Sequence, residues 1–251
     1  LLRAPGGRCL VLDAGSQGRP RIWQRTLEPF LRSRRLPWPA EAVVSHANTD
    51  HYNALGPLIR SGRLRRVYLN DDFHPGGPRT SEAAEEFLYL LADHDVEIVR
   101  CRAGDVIELD DRTRIEVLWP PRILPAGASV NDTSLCLRIT CDGQSALLPG
   151  DLGETGQAAL VAKPNAAQAD VLVLPHHGGW EPTLPALVDA TGAELLTVST
   201  GRVLRAPASG GEQAKVFYRH LPRDHRVLST RRHGWIRIRL GRGRVRTETM
   251  H

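Results

Sequence analysis

The feature that most constrains this chain is a recurrence: short apolar runs, each closed by a polar cluster. Cys9-Leu10-Val11-Leu12 ends at Asp13-Ala14-Gly15-Ser16, and Ala42-Val43-Val44-Ser45 runs into His46-Ala47-Asn48-Thr49-Asp50-His51. Leu147-Leu148-Pro149-Gly150 precedes Asp151, and Val171-Leu172-Val173-Leu174 ends at Pro175-His176-His177-Gly178. Apolar runs this short read as buried strands rather than helices. Polar residues at strand ends are where a rigid sheet presents functional side chains.

The remaining segments fit between these strands. Helices are expected over 22–35, ended by Pro37 and Pro39, over 55–59, and over 81–93, where Ser81 is the cap and Glu82, Glu85 and Glu86 fill the first turns. Further strands are expected over 67–69, 97–99, 106–109, 114–118 and 195–199. A hairpin is expected around Asp142-Gly143, joining 134–140 to 145–148. Residues 203–213 read as a Gly/Ala/Pro/Ser-rich loop. Trp235 to Leu240 alternates strictly, as a half-exposed strand with its arginines outward does. Many strands with a few intervening helices predict an α/β sandwich, and 251 residues without an evident linker predict one domain.

Composition excludes several classes. Apolar residues are 41% and charged residues 24%, which is globular rather than disordered. No apolar run approaches the roughly 18 residues of a membrane span, and no signal-peptide pattern opens the chain. The chain starts at Leu1 and its only methionine is Met250, so a fragment or processed product, a soluble domain of something larger, is expected. The net charge of +5 comes from 33 basic residues, of which only Lys163 and Lys215 are lysines. Arginine forks suit phosphate, so a polyanion is a permitted partner, although GC-rich coding produces the same bias. Cys9, Cys101, Cys136 and Cys141 lack C-x-x-C spacing; buried thiols are the simpler reading, with a disulfide open in an oxidising compartment.

The chemistry concentrates at the strand ends. His46, Asp50 and His51 supply imidazole and carboxylate within six residues, the donors that hold Zn or Mn. Asp151 follows a glycine that lets the backbone turn a carboxylate into a cleft. Each piece alone also fits a plain structural role: Asp13 as an Asx turn, Asp151 as a turn residue, His176 and His177 as one packed and one surface side chain. Their ordered recurrence points to a metal cleft.

In this order the motifs resemble the metallo-β-lactamase superfamily, and within it the C-terminal domain of ComEC-type DNA-internalisation competence proteins. The matching pieces are Asp13-Ala14-Gly15, Ser45-His46-Ala47-Asn48-Thr49-Asp50-His51, Asn131-Asp132-Thr133-Ser134, Gly150-Asp151, Pro175-His176-His177-Gly178 and the closing Ser229-Thr230 to Gly234-Trp235-Ile236. The resemblance implies an αββα sandwich whose first strand is cut off before Leu1. It implies one or two divalent ions, Zn or Mn, held by His46, Asp50, His51, Asp151 and His176. Asp50 and His177 would be catalytic, with His177 or His176 as a proton donor. Asp13, Asn48, Asn131 and Ser134 would support the site or the substrate. The implied activity is a metal-dependent phosphodiesterase, a nuclease acting on DNA, chiefly single-stranded, during uptake through a bacterial inner-membrane channel. Two departures are visible: Asn48 stands where the superfamily has a second His, and 202–210 contains no late His. Two other readings stay open, a catalytically weakened domain that binds DNA or serves structurally, and a hydrolase of a small ester, thioester or lactam. Arg202 and Arg205 are candidates to hold a phosphate backbone, or simply a solvated loop.

Overall fold

The computed structural model describes residues 1–18 and 21–250. The chain divides into two compact units, Leu1–Arg102 and Ala103 onward.

The first unit is a five-stranded sheet in sequence order: β1 (Leu2–Arg3), β2 (Cys9–Leu12), β3 (Glu41–Val43), β4 (Arg66–Asn70) and β5 (Glu97–Cys101). β1 and β2 are antiparallel, and every later pair is parallel. Parallel strands are covered on both faces, which is why Leu10, Ala42, Val67 and Leu69 are fully buried in unbroken apolar runs. α1 (Glu28–Ser33), α2 (Gly56–Arg60) and α3 (Glu82–Asp93) supply the cover. Ala84, Phe87, Leu88 and Leu91 of α3 face the core beside Leu55, Leu58 and Ile59. Ser81 caps α3 as expected, its Oγ accepting from the Ala84 N–H at 3.3 Å. The helix expected over 22–35 is interrupted instead. It opens with a π-helical turn, Trp23–Leu27, before α1. Pro29 has no N–H to bond back to Arg25, so the regular ladder cannot run through this point.

The second unit holds a seven-stranded sheet, ordered β12-β11-β10-β9-β8-β7-β6. β6 (Val106–Glu108), β7 (Thr113–Trp119), β8 (Cys136–Cys141) and β9 (Gln144–Leu148) form an antiparallel meander. The β8–β9 turn is the expected one, with Asp142 and Gly143 both at positive φ, 49° and 83°. After α4 (Glu154–Val161), the chain adds β10 (Val171–Val173), α5 (Leu184–Thr191), β11 (Leu195–Val198), α6 (Gly211–Asp224) and β12 (Arg226–Ser229), with β9 to β12 all parallel. A short α7 (Thr230–His233) leads to a separate hairpin of β13 (Ile236–Arg239) and β14 (Arg246–Thr249). The segment expected as loop over 203–213 ends early, because α6 starts at Gly211.

All four cysteines are buried free thiols. Among the described residues no helix is long and apolar enough to cross a membrane.

Candidate metal and proton-transfer site

In the first unit, the donor set is built where β2 and β3 end. Asp13 directly follows β2 with φ 46°, a left-handed conformation uncommon outside glycine. Its N–H bonds to the Val43 carbonyl at 2.9 Å, which keeps it on the sheet edge. Its carboxylate then gathers the loop after β3. Oδ1 accepts from the Ser45 N–H at 2.7 Å; Oδ2 accepts from Ser45 Oγ at 2.8 Å and from His51 Nδ1 at 2.9 Å.

These bonds settle both imidazole tautomers. An ionised carboxylate only accepts, so His51 carries its proton on Nδ1. The single Ser45 hydroxyl proton goes to Asp13, so Ser45 Oγ accepts from His46 Nδ1 at 3.0 Å. Both rings therefore present Nε2 as a lone-pair donor, the arrangement of a metal-ligating His anchored by a carboxylate. The rings are 4.1 Å apart between centroids and essentially buried. One ligand atom of His46 lies within 4.8 Å of one of His51, and the same holds for Asp50 and His51. Asp50 Oδ2 is 3.9 Å from His51 Nε2. Burial pushes the Asp13 carboxyl upward, but the His51 imidazole and the Ser45 N–H outweigh it and hold the group below its ordinary range.

The loop is also locked from outside. Ala14 N–H bonds to the His51 carbonyl at 2.8 Å, and Ala54 N–H to the Ala14 carbonyl at 3.0 Å. A Cβ at Gly15 would lie 2.3 Å from the Asp50 carbonyl oxygen, so only glycine fits there. Asn70 Nδ2 donates to the Ser45 carbonyl at 3.0 Å from the end of β4.

In the second unit, Gly150 turns at φ 63° after β9 and leaves Asp151 buried. His176, His177 and Gly178 then take three successive left-handed conformations, φ 50°, 54° and 76°, after β10. Two of these are not glycine, so the turn is strained and must be held by its surroundings. The Tyr218 hydroxyl donates to the Gly178 carbonyl at 2.9 Å, and Leu204 and Val198 close on Gly178 so tightly that a Cβ would lie 2.6 Å from Leu204 Cδ1. Burial pushes the Tyr218 phenol up to about 12, which keeps it a donor. The turn exposes His177, whose Nδ1 donates to the Ser199 carbonyl at 3.0 Å. His177 Nε2 is left 3.7 Å from Asp151 Oδ2. Imidazole and carboxylate so placed can hold, move and stabilise a proton.

The two His of the pair have different surroundings. His177 faces Asp151, whereas the His176 ring packs on Gly179 and lies in the field of the Glu181 carboxyl. Asn131 begins a short 3-10 turn. Ser134 is fully buried, and its Oγ makes no hydrogen bond. Asn48 caps the 3-10 turn that carries Asp50 and His51, its carbonyl accepting from the His51 N–H at 3.0 Å. Three further residues matter here. Ser45 orients both rings of the first set, and Tyr218 braces the strained turn. Asp132 accepts from Ser129 N–H at 3.0 Å, Ser129 Oγ at 2.8 Å and Gly156 N–H at 3.1 Å. Only the Ser-His adjacency was available as a signal for Ser45; nothing local in sequence marks Tyr218.

A family model described as the metallo-beta-lactamase superfamily matches residues 1–202. The chain is similar to ComE operon protein 3 of Bacillus subtilis (strain 168), 26% identical over 218 residues, covering 87% of this chain and 27% of that protein. It is similar to competence protein ComA of Neisseria gonorrhoeae, 28% identical over 250 residues, covering 97% of this chain and 31% of that protein. The chain thus spans less than a third of the length of either relative. Among solved structures, Zn(2+)-bound PqqB from Methylobacterium extorquens matches with a TM-score of 0.43 at 17% identity, covering 68% of this chain and 57% of that one. The diiron β-hydroxylase CmlA from Streptomyces venezuelae matches at 0.47 and 12% identity, covering 85% and 46%.

Proposed function

The chain belongs to the metallo-β-lactamase superfamily, usually hydrolytic metalloenzymes, and from that premise we propose that it is a divalent-metal-dependent phosphodiesterase acting on single-stranded DNA. The observation that carries this reading is the Asp13–Ser45 network, which fixes His46 and His51 in one tautomer with both Nε2 atoms as ligands. The chemistry of that donor set fits a borderline divalent ion. His46, His51 and Asp50 of the first unit would hold it. When bound, the ion supplies Lewis acidity, which acidifies water and offsets charge on a phosphoryl oxygen.

The chain's own side chains do the rest. Asp13 keeps His51 oriented and its proton on Nδ1. His177 Nε2 is the atom that gives a proton to the departing oxygen, with Asp151 stabilising the imidazolium. The polyanion preference draws on the arginine content and on the competence proteins the chain resembles. By the same resemblance the parent would act in DNA uptake at a membrane channel.

The test is cleavage of a labelled single-stranded oligonucleotide by Mn- or Zn-loaded protein beside Asp151→Ala. The expected result is loss of cleavage with DNA binding intact; cleavage that persists in the variant sinks the reading. One observation favours a second reading, a DNA-binding domain with weakened catalysis: Asn48 and the His-free segment 202–210 leave fewer imidazoles than the superfamily pattern has. Absence of bound metal in the purified wild type, measured by mass spectrometry, would select it.

A further inference from the structure

One concentration of positive charge in this protein lies at its C-terminal end. Residues 226–250 hold eight arginines and one acidic residue, Glu248, a net +7 against +5 for the whole chain. The β13–β14 hairpin organises much of it. Ile236, Ile238, Leu240 and Val245 pack on Ala146, Val171, Leu195 and Leu228. Strand alternation therefore directs Arg237 and Arg239 to the opposite face. The register places Arg237 across from Glu248, and Arg239 directly across from Arg246.

That face is electrostatically unbalanced. The Glu248 carboxylate is shared, with Oε2 3.1 Å from Arg237 Nη1 and Oε1 3.0 Å from Arg239 Nη2. Arg246 faces a like charge, a directly opposed pair that weakens a hairpin. The turn adds Arg242 and Arg244, both exposed. Within the hairpin one carboxylate serves five guanidinium groups; the Asp142 carboxylate lies in the field of Arg242 but is bonded to Arg112, so solvent ions or a bound polyanion must supply the rest.

We propose that the outer face of this hairpin and its turn dock the sugar–phosphate backbone of single-stranded nucleic acid. The identity of the polyanion rests on the functional reading above; the location rests on the hairpin itself. Its positively charged side chains are all arginines, whose forks bind phosphate oxygens in pairs. Along one strand face they repeat about every 7 Å, near the spacing of successive phosphates in an extended single strand. An anionic bilayer fits less well, because the hairpin's own apolar residues are turned inward and none is free to enter the acyl region.

The experiment is fluorescence anisotropy of a labelled, mixed-sequence single-stranded oligonucleotide with the full chain in EDTA, across a salt series. The variant is Arg239→Gln/Arg242→Gln/Arg244→Gln/Arg246→Gln. Its control removes equal charge from exposed arginines of the first unit: Arg3→Gln/Arg25→Gln/Arg60→Gln/Arg65→Gln. The hairpin variant is expected to lose at least about tenfold in affinity and to flatten the slope of log K against log salt by about 3, the control changing affinity by less than about twofold. Because the variant removes the Arg239–Arg246 repulsion, its melting temperature should not fall, and the four-fold Arg→Lys version should retain most of the salt slope. Equal weakening in both variants would overturn the proposal, as would no binding by the wild type. So would hairpin-dependent binding to phosphatidylglycerol vesicles with DNA affinity unchanged. Hairpin-dependent DNA binding without any cleavage by metal-loaded wild type would keep this surface and remove only the nuclease reading.

Discussion

At the scale of single residues, the decisive feature is that one carboxylate, Asp13, organises two imidazoles. Replacing it tests that role directly. Asp13→Asn leaves the size unchanged but removes the charge that holds His51 Nδ1–H, so metal affinity should fall about 10- to 100-fold by calorimetric titration. A second carboxylate gives a pH signature away from the site. Burial pushes Glu41 upward, but the Arg8 fork, at 2.7 and 2.6 Å, and the Tyr68 hydroxyl, at 2.8 Å, hold it below its ordinary 4.5. A folded-state pKa below the unfolded one stabilises the protein above the unfolded value and stops doing so as pH falls through the folded value. The melting-temperature gap between wild type and Glu41→Gln should therefore be full near about pH 6 and close towards about pH 3. A gap that widens on acidification would contradict the assignment. The candidate residues stand out in sequence because imidazole and carboxylate cluster visibly after apolar runs. Asp13 was also visible, and the resemblance placed it in support of the site; that it clamps residues 45 and 51 was not, because an Asx turn and a long-range clamp look alike in sequence.

At the scale of elements, the strained turn of His176, His177 and Gly178 depends on α6 and on the segment before it. Tyr218→Phe removes one hydrogen bond to the Gly178 carbonyl and should cost about 1 kcal/mol in urea unfolding. If His177 is the proton donor, the same variant should lower kcat more than it raises KM. Gly178→Ala should cost more, about 1–3 kcal/mol, because it adds both a positive-φ penalty and a collision with Leu204. The helix that matters here was the hardest to read. α6 is mostly polar and has Pro222 inside it, and only Ala214, Tyr218 and Leu221 mark its buried stripe. β14 has no apolar residue at all and exists as a strand only because β13 pairs with it. The apolar strands and the Asp142-Gly143 turn were legible because their signals are local and strong; elements defined by partners far along the chain were not.

At the scale of the whole molecule, each unit has its own core and its own cluster of imidazole and carboxylate. Metal at about 100 times its Kd should stabilise the chain by about 2.7 kcal/mol, read as a rise in melting temperature that EDTA reverses. If His46 and His51 hold the ion, His46→Ala should abolish the rise; a rise that survives in that variant would remove the first-unit site. The four cysteines also have a practical consequence. Every one is buried, and burial raises the thiols of Cys9 and Cys136 away from the reactive thiolate. The natural chain is thus a ready background for site-specific labelling: a cysteine introduced on the exposed hairpin turn would be its one accessible thiol, and a dye placed there would report on the arginine face with no native residue removed first.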